Sequence, residues 1–332
     1  MTFVDATLHG GPDARGAALH DFSTNANACG PCPSVLALLR AADASRYPDP
    51  SHTALRASLA RFHGVDAARI VIAASASEFI ARITAAVAQQ GGRSVWLPPL
   101  SYGDYLRAAE AWGLAVLREP ESGADLVWCC DPSSPLGQAQ PDLAARIDAL
   151  PAGAACVLDL AYEPLRLEGR LDLDTARKDR VWQLWTPNKA LGLTGVRAAY
   201  AIAPRDAGDL QTRLARLAPS WPLGTHGVAL LGAWTGDEVQ AWLADSQDSL
   251  RAWKREQQAI CAALGWTCLP SIANFFCARP QAPYADRAVA LRDAGVQLRD
   301  TCSFGLPDHV RLGVLPPASQ SALQRAWRAA QP

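Results

Sequence analysis

Lysine is nearly missing from this chain. Only Lys178, Lys189 and Lys254 occur, and the rest of the basic charge is arginine, so chemistry that needs a primary amine has three candidates. Net charge is also scarce. Basic and acidic side chains number 31 and 32, leaving −1, which excludes the global basic field of a nucleic-acid binder while leaving a local basic pocket open. No apolar run approaches the roughly 20 residues that span a bilayer. The opening MTFVDATLHGG lacks the basic start and apolar stretch of a secretory leader. The expected location is therefore the cytoplasm, with neither membrane nor nucleic acid as a partner. Nine cysteines are an odd number that fits no closed disulfide framework, and in that compartment they read as reduced thiols. Internal repeats and low-complexity tracts are lacking as well.

What is present is ordinary globular material: 332 residues, 49% hydrophobic and 19% charged, enough for one large domain and a smaller one. Short apolar runs alternate with amphipathic stretches. RIVIAAS, SVWLPP, AVLREP, DLVWCCD, ACVLDLAY, VWQLWT and VRAAYAIAP read as strands between about residues 69 and 204. PSVLALLRAA, SHTALRASLARFHG, a stretch from about Ser77 to Ala88, and YLRAAEAWG read as helices. Buried strands separated by helices predict an α/β fold, a mostly parallel central sheet covered on both faces. From about Asp206 the pattern turns to long helices (206–217, 225–264). ANFFCA, YADRAVALRDAG, HVRLGVL and ASQSALQRAWRAA then give strand, helix, strand and helix, as expected of a smaller α+β domain. The predicted organisation is an N-terminal arm (1–32) joining the small domain, a large domain (33–218), and an interdomain helix with the small C-terminal domain (219–332).

Two stretches carry chemistry. Cys29-Gly30-Pro31-Cys32 has the dithiol spacing of thioredoxins, yet DFSTNANA before it is loop material, without the strand that normally precedes such a motif. The alternative is a Gly-Pro turn entering a helix, with both cysteines as small apolar fillers. The second stretch is TPNKALGLTGVRAAY (186–200). A lysine on a loop leaving a buried sheet loses solvation, and its lowered pKa makes it a Schiff-base nucleophile. An arginine eight residues on suits a phosphate. A plain surface lysine has the same spacing. Lys178 (ARKDR) and Lys254 (RAWKREQQ) lie in charged surroundings and read as solvated.

TPNKALGLTGVR resembles the lysine segment of fold-type I pyridoxal 5'-phosphate enzymes, the class I/II aminotransferase superfamily. The resemblance implies that Lys189 carries the aldimine and Arg197 binds the cofactor phosphate. Further segments resemble the family in order. RYPDP implies that Tyr47 reaches the phosphate of the partner subunit, hence a homodimer. ASASE implies that the amides of Ala76 and Ser77 cradle the phosphate at a helix N-terminus. PPLSYGDY implies that Tyr102 stacks on the pyridine ring. LDLAY implies that Asp159 keeps the ring nitrogen protonated and that Tyr162 donates to the phenolic oxygen. Thr186 falls in the lysine segment with the cofactor ligands. HVRLGVL implies that Arg311 clamps a substrate carboxylate. Two positions depart from the family. Ser134 stands where an Asn is usual, and Asn188 where a Ser that binds the phosphate is common. These departures favour a non-catalytic member of the fold, whereas the retained Lys189, Asp159, Tyr162 and Arg197 favour an enzyme.

LHGGPDARGAALHDFSTNANACGP and LRDTCSFGLPDHVRLGV further resemble the cobalamin-pathway threonine-phosphate decarboxylases, with histidinol-phosphate aminotransferases as close relatives. In that comparison CGPC lines the substrate entrance, Arg299 meets a substrate phosphate, and His9 and Asn27 line the same pocket. The implied activity is on a small phosphorylated amino acid or amine. Decarboxylation of L-threonine O-3-phosphate is the first expectation and transamination of the histidinol-phosphate type the second.

Overall fold

The computed structural model describes residues 10–119 and 123–330. His9, expected in a substrate pocket, lies outside them. Seven strands form the central sheet, in the spatial order Ile70–Ala73, Ala199–Ile202, Trp182–Trp185, Ala155–Asp159, Leu126–Cys130, Ser94–Trp96, Ala115–Leu117. All pairings are parallel except those of Ala199–Ile202, which runs antiparallel to both neighbours. Antiparallel neighbours need no crossover helix, so a loop alone carries the chain from Trp185 to Ala199, and that loop bears Lys189.

Side chains alternate across the sheet as a pleat requires. Leu126 and Trp128 pack with Val95, Val157, Phe79 and Ile83 on one face, beneath the helices Ala76–Gln89 and Gly103–Ala111. Val127 and Cys129 pack with Leu158 and Ile147 on the other. Burial on both faces explains why these strands read as continuous apolar runs.

The smaller sheet has four antiparallel strands in the order Arg299–Asp300, Val310–Gly313, Phe275–Arg279, Thr267–Cys268. The helix expected over 225–264 is two helices, Thr225–Trp234 and Asp237–Ala263. The break falls at Thr235 and Gly236, where glycine weakens a helix interior. The N-terminal arm joins the small unit: His20–Asp21 pairs in parallel with Val296–Gln297, and Gly313 N donates to Phe22 O at 2.8 Å. Among the described residues no helix is long and apolar enough to cross a membrane.

Candidate active site

A cavity of about 300 Å³ opens where the carboxyl ends of the central strands face the small unit and the N-terminal arm. Parallel α/β sheets place sites at this edge because strands end there and helices begin. Ala76, Ser77, Tyr102, Ser134, Asp159, Tyr162, Thr186, Asn188, Lys189, Arg197, Arg299 and Arg311 all line it.

One end of the cavity is built for an anion. The helix Ala76–Gln89 starts immediately beyond the strand Ile70–Ala73. Ser75 Oγ caps the helix by accepting from Glu78 N at 3.1 Å, and Glu78 Oε2 reaches one residue beyond the cap to accept from Ala74 N at 3.1 Å, a variant of the capping box. That box leaves the amides of Ala76 and Ser77, the first two of the helix, without intrahelical acceptors. Arg197 has no ion-pair or hydrogen-bond partner among the described residues. Thr186 Oγ1 is buried without a partner. An unpaired guanidinium, an unpaired hydroxyl and a helix N-terminus together match the donor demand of a phosphate.

The opposite end holds Asp159, last residue of its strand and buried. Tyr105 OH donates to its Oδ2 at 2.6 Å and Ala161 N to its Oδ1 at 2.9 Å. Burial pushes the carboxyl up from its ordinary range, while these two donors and the Lys189 charge pull it back. Tyr105 stacks on Trp128 with centroids 4.3 Å apart and meets Tyr102 edge-on at 5.7 Å. Burial pushes the Tyr102 phenol well up, against a hydrogen bond with Ser77. Lys189 Nζ lies 5.3 Å from the Tyr162 ring centre, and Asn25 Nδ2 donates to Tyr162 OH at 3.1 Å.

Two arginines complete the site from the small unit. Arg299 and Arg311 are direct cross-strand partners, and both are buried. Arg311 Nη2 donates to Ser23 O at 3.2 Å, and its Nε is buried without a partner. Arg299 donates to Ser303 Oγ at 2.7 Å and to Asp300 O at 2.8 Å. Both guanidiniums lie over the Phe304 ring, at 4.8 and 5.4 Å. Burial, and then the charge of Arg311, lower the Arg299 pKa, so the pair favours an anion between them.

Three expected residues sit differently. Asn27 does not line the cavity. Its Nδ2 donates to Ala190 O at 3.0 Å and its Oδ1 accepts from Cys29 N at 2.9 Å, so its whole side chain is engaged with backbone. Gly10, Gly11, Pro12 and Asn25 supply the arm's share of the lining instead. Asn188 lines the cavity but directs its amide donors away. Nδ2 reaches Val196 O at 3.2 Å, and two nearby carbonyls fix that orientation. With its donors spent, it is a clamp on the lysine loop rather than the phosphate donor expected. Tyr47 is 78% exposed and stacks on Trp221 at 4.5 Å, away from this cavity. Sequence reasoning missed Tyr105, Cys130, Asn25 and Phe304. Tyr105 lies three residues after Tyr102, one helical turn on, and that spacing was its only signal. Cys29 and Cys32 are free thiols. Burial raises the Cys29 pKa, the opposite of an activated redox thiol. Among the described residues no cluster suits a metal ion.

The class I and II aminotransferase family matches residues 18–329. Histidinol-phosphate aminotransferase 1 of Bradyrhizobium diazoefficiens is 30% identical over 311 residues, covering 88% of this chain and 87% of that protein. The histidinol-phosphate aminotransferase of Symbiobacterium thermophilum is 30% identical, with 95% and 92% covered. In fold, the chain is similar to the Sinorhizobium meliloti histidinol-phosphate aminotransferase solved with pyridoxal-5'-phosphate (TM-score 0.83, 24% identity, 99% and 97% covered). It is also similar to L-threonine-O-3-phosphate decarboxylase from Porphyromonas gingivalis (TM-score 0.78, 22% identity, 93% and 98% covered). With its α/β sheet, its lysine loop and a match spanning nearly its whole length, the chain belongs to the class I and II aminotransferases, pyridoxal-phosphate-dependent enzymes of fold type I.

Proposed function

We propose that the protein decarboxylates a small phosphorylated amino acid, with L-threonine O-3-phosphate as the best candidate. The observation that carries this reading is the buried pair Arg299 and Arg311, cross-strand neighbours that share the Phe304 ring. Two guanidiniums side by side repel each other unless anions separate them. A substrate with both a carboxylate and a phosphate answers that demand at its two ends. A phosphorylated amino alcohol answers half of it.

The cavity fits pyridoxal phosphate, which, when bound, supplies an electron sink for the pair left at Cα. Ala76, Ser77, Thr186 and Arg197 would hold its phosphate. Asp159, kept in place by Tyr105, would hold a proton on its ring nitrogen. Tyr162, oriented by Asn25, would donate to its phenolic oxygen, with Ser134 nearby, and Tyr102 would cover its ring. Lys189 would bond it covalently and, once freed, move a proton to or from Cα. Arg311 and Arg299 would bind the substrate's anionic ends, so their positions decide whether carboxylate or hydrogen is held for loss. Tyr47 would act in the site of a second copy, which makes the protein a homodimer.

The 30%-identical relatives support a second reading, transamination of the histidinol-phosphate type. Rapid-mixing titration of the cofactor-loaded protein, followed in its visible absorbance before turnover, tests the choice. L-threonine O-3-phosphate is expected to bind at least about tenfold more tightly than histidinol phosphate, the worth of one charge-assisted contact. The reverse order would support the aminotransferase.

A further inference from the structure

The arm residues around CGPC grip the backbone of the lysine loop. Asn27 N donates to Lys189 O at 2.9 Å, Asn27 Nδ2 to Ala190 O at 3.0 Å, and Cys32 N to Leu191 O at 2.9 Å. Three successive carbonyls beginning at Lys189 thus each receive a donor from the arm. The approach is close. A Cβ on Gly30 would stand 2.9 Å from Gly192 Cα, and one on Gly192, whose φ is +66°, would stand 2.8 Å from Gly30 Cα. The same arm is tied to the small unit. Asn274 Nδ2 donates to Asn25 O and Ala26 O, each at 3.2 Å, and Arg311 donates to Ser23 O.

We infer that Asn27 is a positioning residue for Lys189, acting through the loop backbone from outside the cavity. Residues 22–32 form a strap with one end bonded to the strand of the substrate-binding arginine and the other to the loop of the amine. Asn27 is the link at the amine end. Its side chain has two bonds with separable purposes. Oδ1 accepts from Cys29 N, an Asx turn that shapes the arm itself. Nδ2 donates to Ala190 O, which acts on the lysine loop. CGPC is then explained without redox chemistry: Gly30 permits the backbone contact with Gly192, and Cys32 supplies an amide to Leu191 O. The inference rests on Lys189 being the cofactor-bonded lysine.

Asn27→Asp and Asn27→Ser separate the two purposes. Each keeps an oxygen for Cys29 N; the aspartate carboxylate has no proton to donate to Ala190 O, and the serine hydroxyl is one bond shorter than the amide that reaches it. Competitive acetylation of the full-length, cofactor-free chain, read by peptide mass, reports the reactivity of Lys189 with Lys178 as internal reference. The structure predicts a rise in the Lys189-to-Lys178 ratio of at least about threefold in both variants, because a loosened loop exposes the half-buried Lys189 amine to the reagent. Hydrogen exchange of the amides at residues 190–193 should speed up in the same variants relative to the amides of the central strands, a difference that separates a loosened loop from poor folding. Unchanged labelling and unchanged exchange in folded variants would overturn the inference and leave Asn27 a turn residue. Borohydride reduction of the cofactor-loaded wild type tests the underlying assignment separately. Label on Lys189 upholds it. Label on Lys178 or Lys254 removes it without altering the exchange result.

Discussion

Tyr105 and Asp159 form the most enclosed polar contact of the site, a 2.6 Å hydrogen bond between a buried phenol and a buried carboxylate. Burial raises the carboxyl's pKa, and Tyr105 is the foremost group opposing that rise. Tyr105→Phe removes the donor and leaves the aromatic stack on Trp128. A buried hydrogen bond to a charged group is worth about 1.5–3 kcal/mol. The variant should lose stability of that order at neutral pH, and the deficit should shrink as pH falls and Asp159 takes up a proton. Denaturant unfolding of both proteins at several pH values checks this.

The arginine pair predicts a difference between lysine and arginine. Arg311→Lys keeps the charge and loses the planar fork that sits over Phe304 and Phe275. Both Arg311→Lys and Arg299→Lys should weaken binding of a phosphorylated amino acid by about 2–4 kcal/mol. The cofactor should bind as in the wild type, because its phosphate end is held by other residues. Substrate titration and cofactor titration of each variant separate the two effects.

How much of this was legible beforehand differs by residue. Lys189, Asp159 and Tyr162 stood out because TPNKALGLTGVR and LDLAY resemble segments of the family; of the three only Asp159 ends a strand, and the other two lie in the loops just beyond one. The direction of Ala199–Ile202 did not, since a buried apolar run looks the same whether parallel or antiparallel. Asn25 and Asn27 are two residues apart in one loop, where no periodicity tells which faces the cavity; the structure gives that place to Asn25. Tyr105 is a core residue by burial, and only its bond to Asp159 shows its part in the site. Asn188 shares a position with a family phosphate ligand, but its donors are drawn off by carbonyls of its own loop, which no local pattern reveals.

His63 contributes an acid sensitivity remote from the cavity. Its Nε2 lies 2.7 Å from Tyr200 OH, which also receives the Trp234 indole N–H at 3.2 Å. The Tyr200 proton therefore points at His63, which accepts it as a neutral ring. Burial, followed by the charge of Lys178, lowers the His63 pKa to about 4. A depressed pKa means that the folded state resists protonation. The contribution is fully present above about pH 6.5 and is lost as pH falls toward 4, amounting to about 3 kcal/mol. His63→Gln should flatten the acid limb of stability across that window in pH-dependent unfolding.

Gly192 is the glycine that the loop cannot replace. Its positive φ and its contact with Gly30 both exclude a side chain. Gly192→Ala should destabilise the fold by about 1–3 kcal/mol and lower cofactor affinity, because the loop that must shift carries Lys189. Gly195, which has open space and no positive φ, is the control: Gly195→Ala should leave thermal unfolding nearly unchanged.

The homodimer assignment has its own test in complementation. Tyr47→Phe and Lys189→Ala chains each lack one part of every site. If Tyr47 serves the neighbouring site, mixed dimers regain one complete site. A random mixture should then recover about a quarter of the wild-type sites, since half the dimers are mixed and each has one good site. A mixture no more active than its components would place Tyr47 elsewhere.

The measurement that tests the central claim most directly is a carbon balance. Cofactor-loaded protein is mixed with L-threonine O-3-phosphate, and carbon dioxide and the nitrogen-bearing product are both quantified. The account predicts one carbon dioxide and one phosphorylated amine per substrate consumed. A keto acid formed without carbon dioxide, with the amino group left on the cofactor, would contradict it.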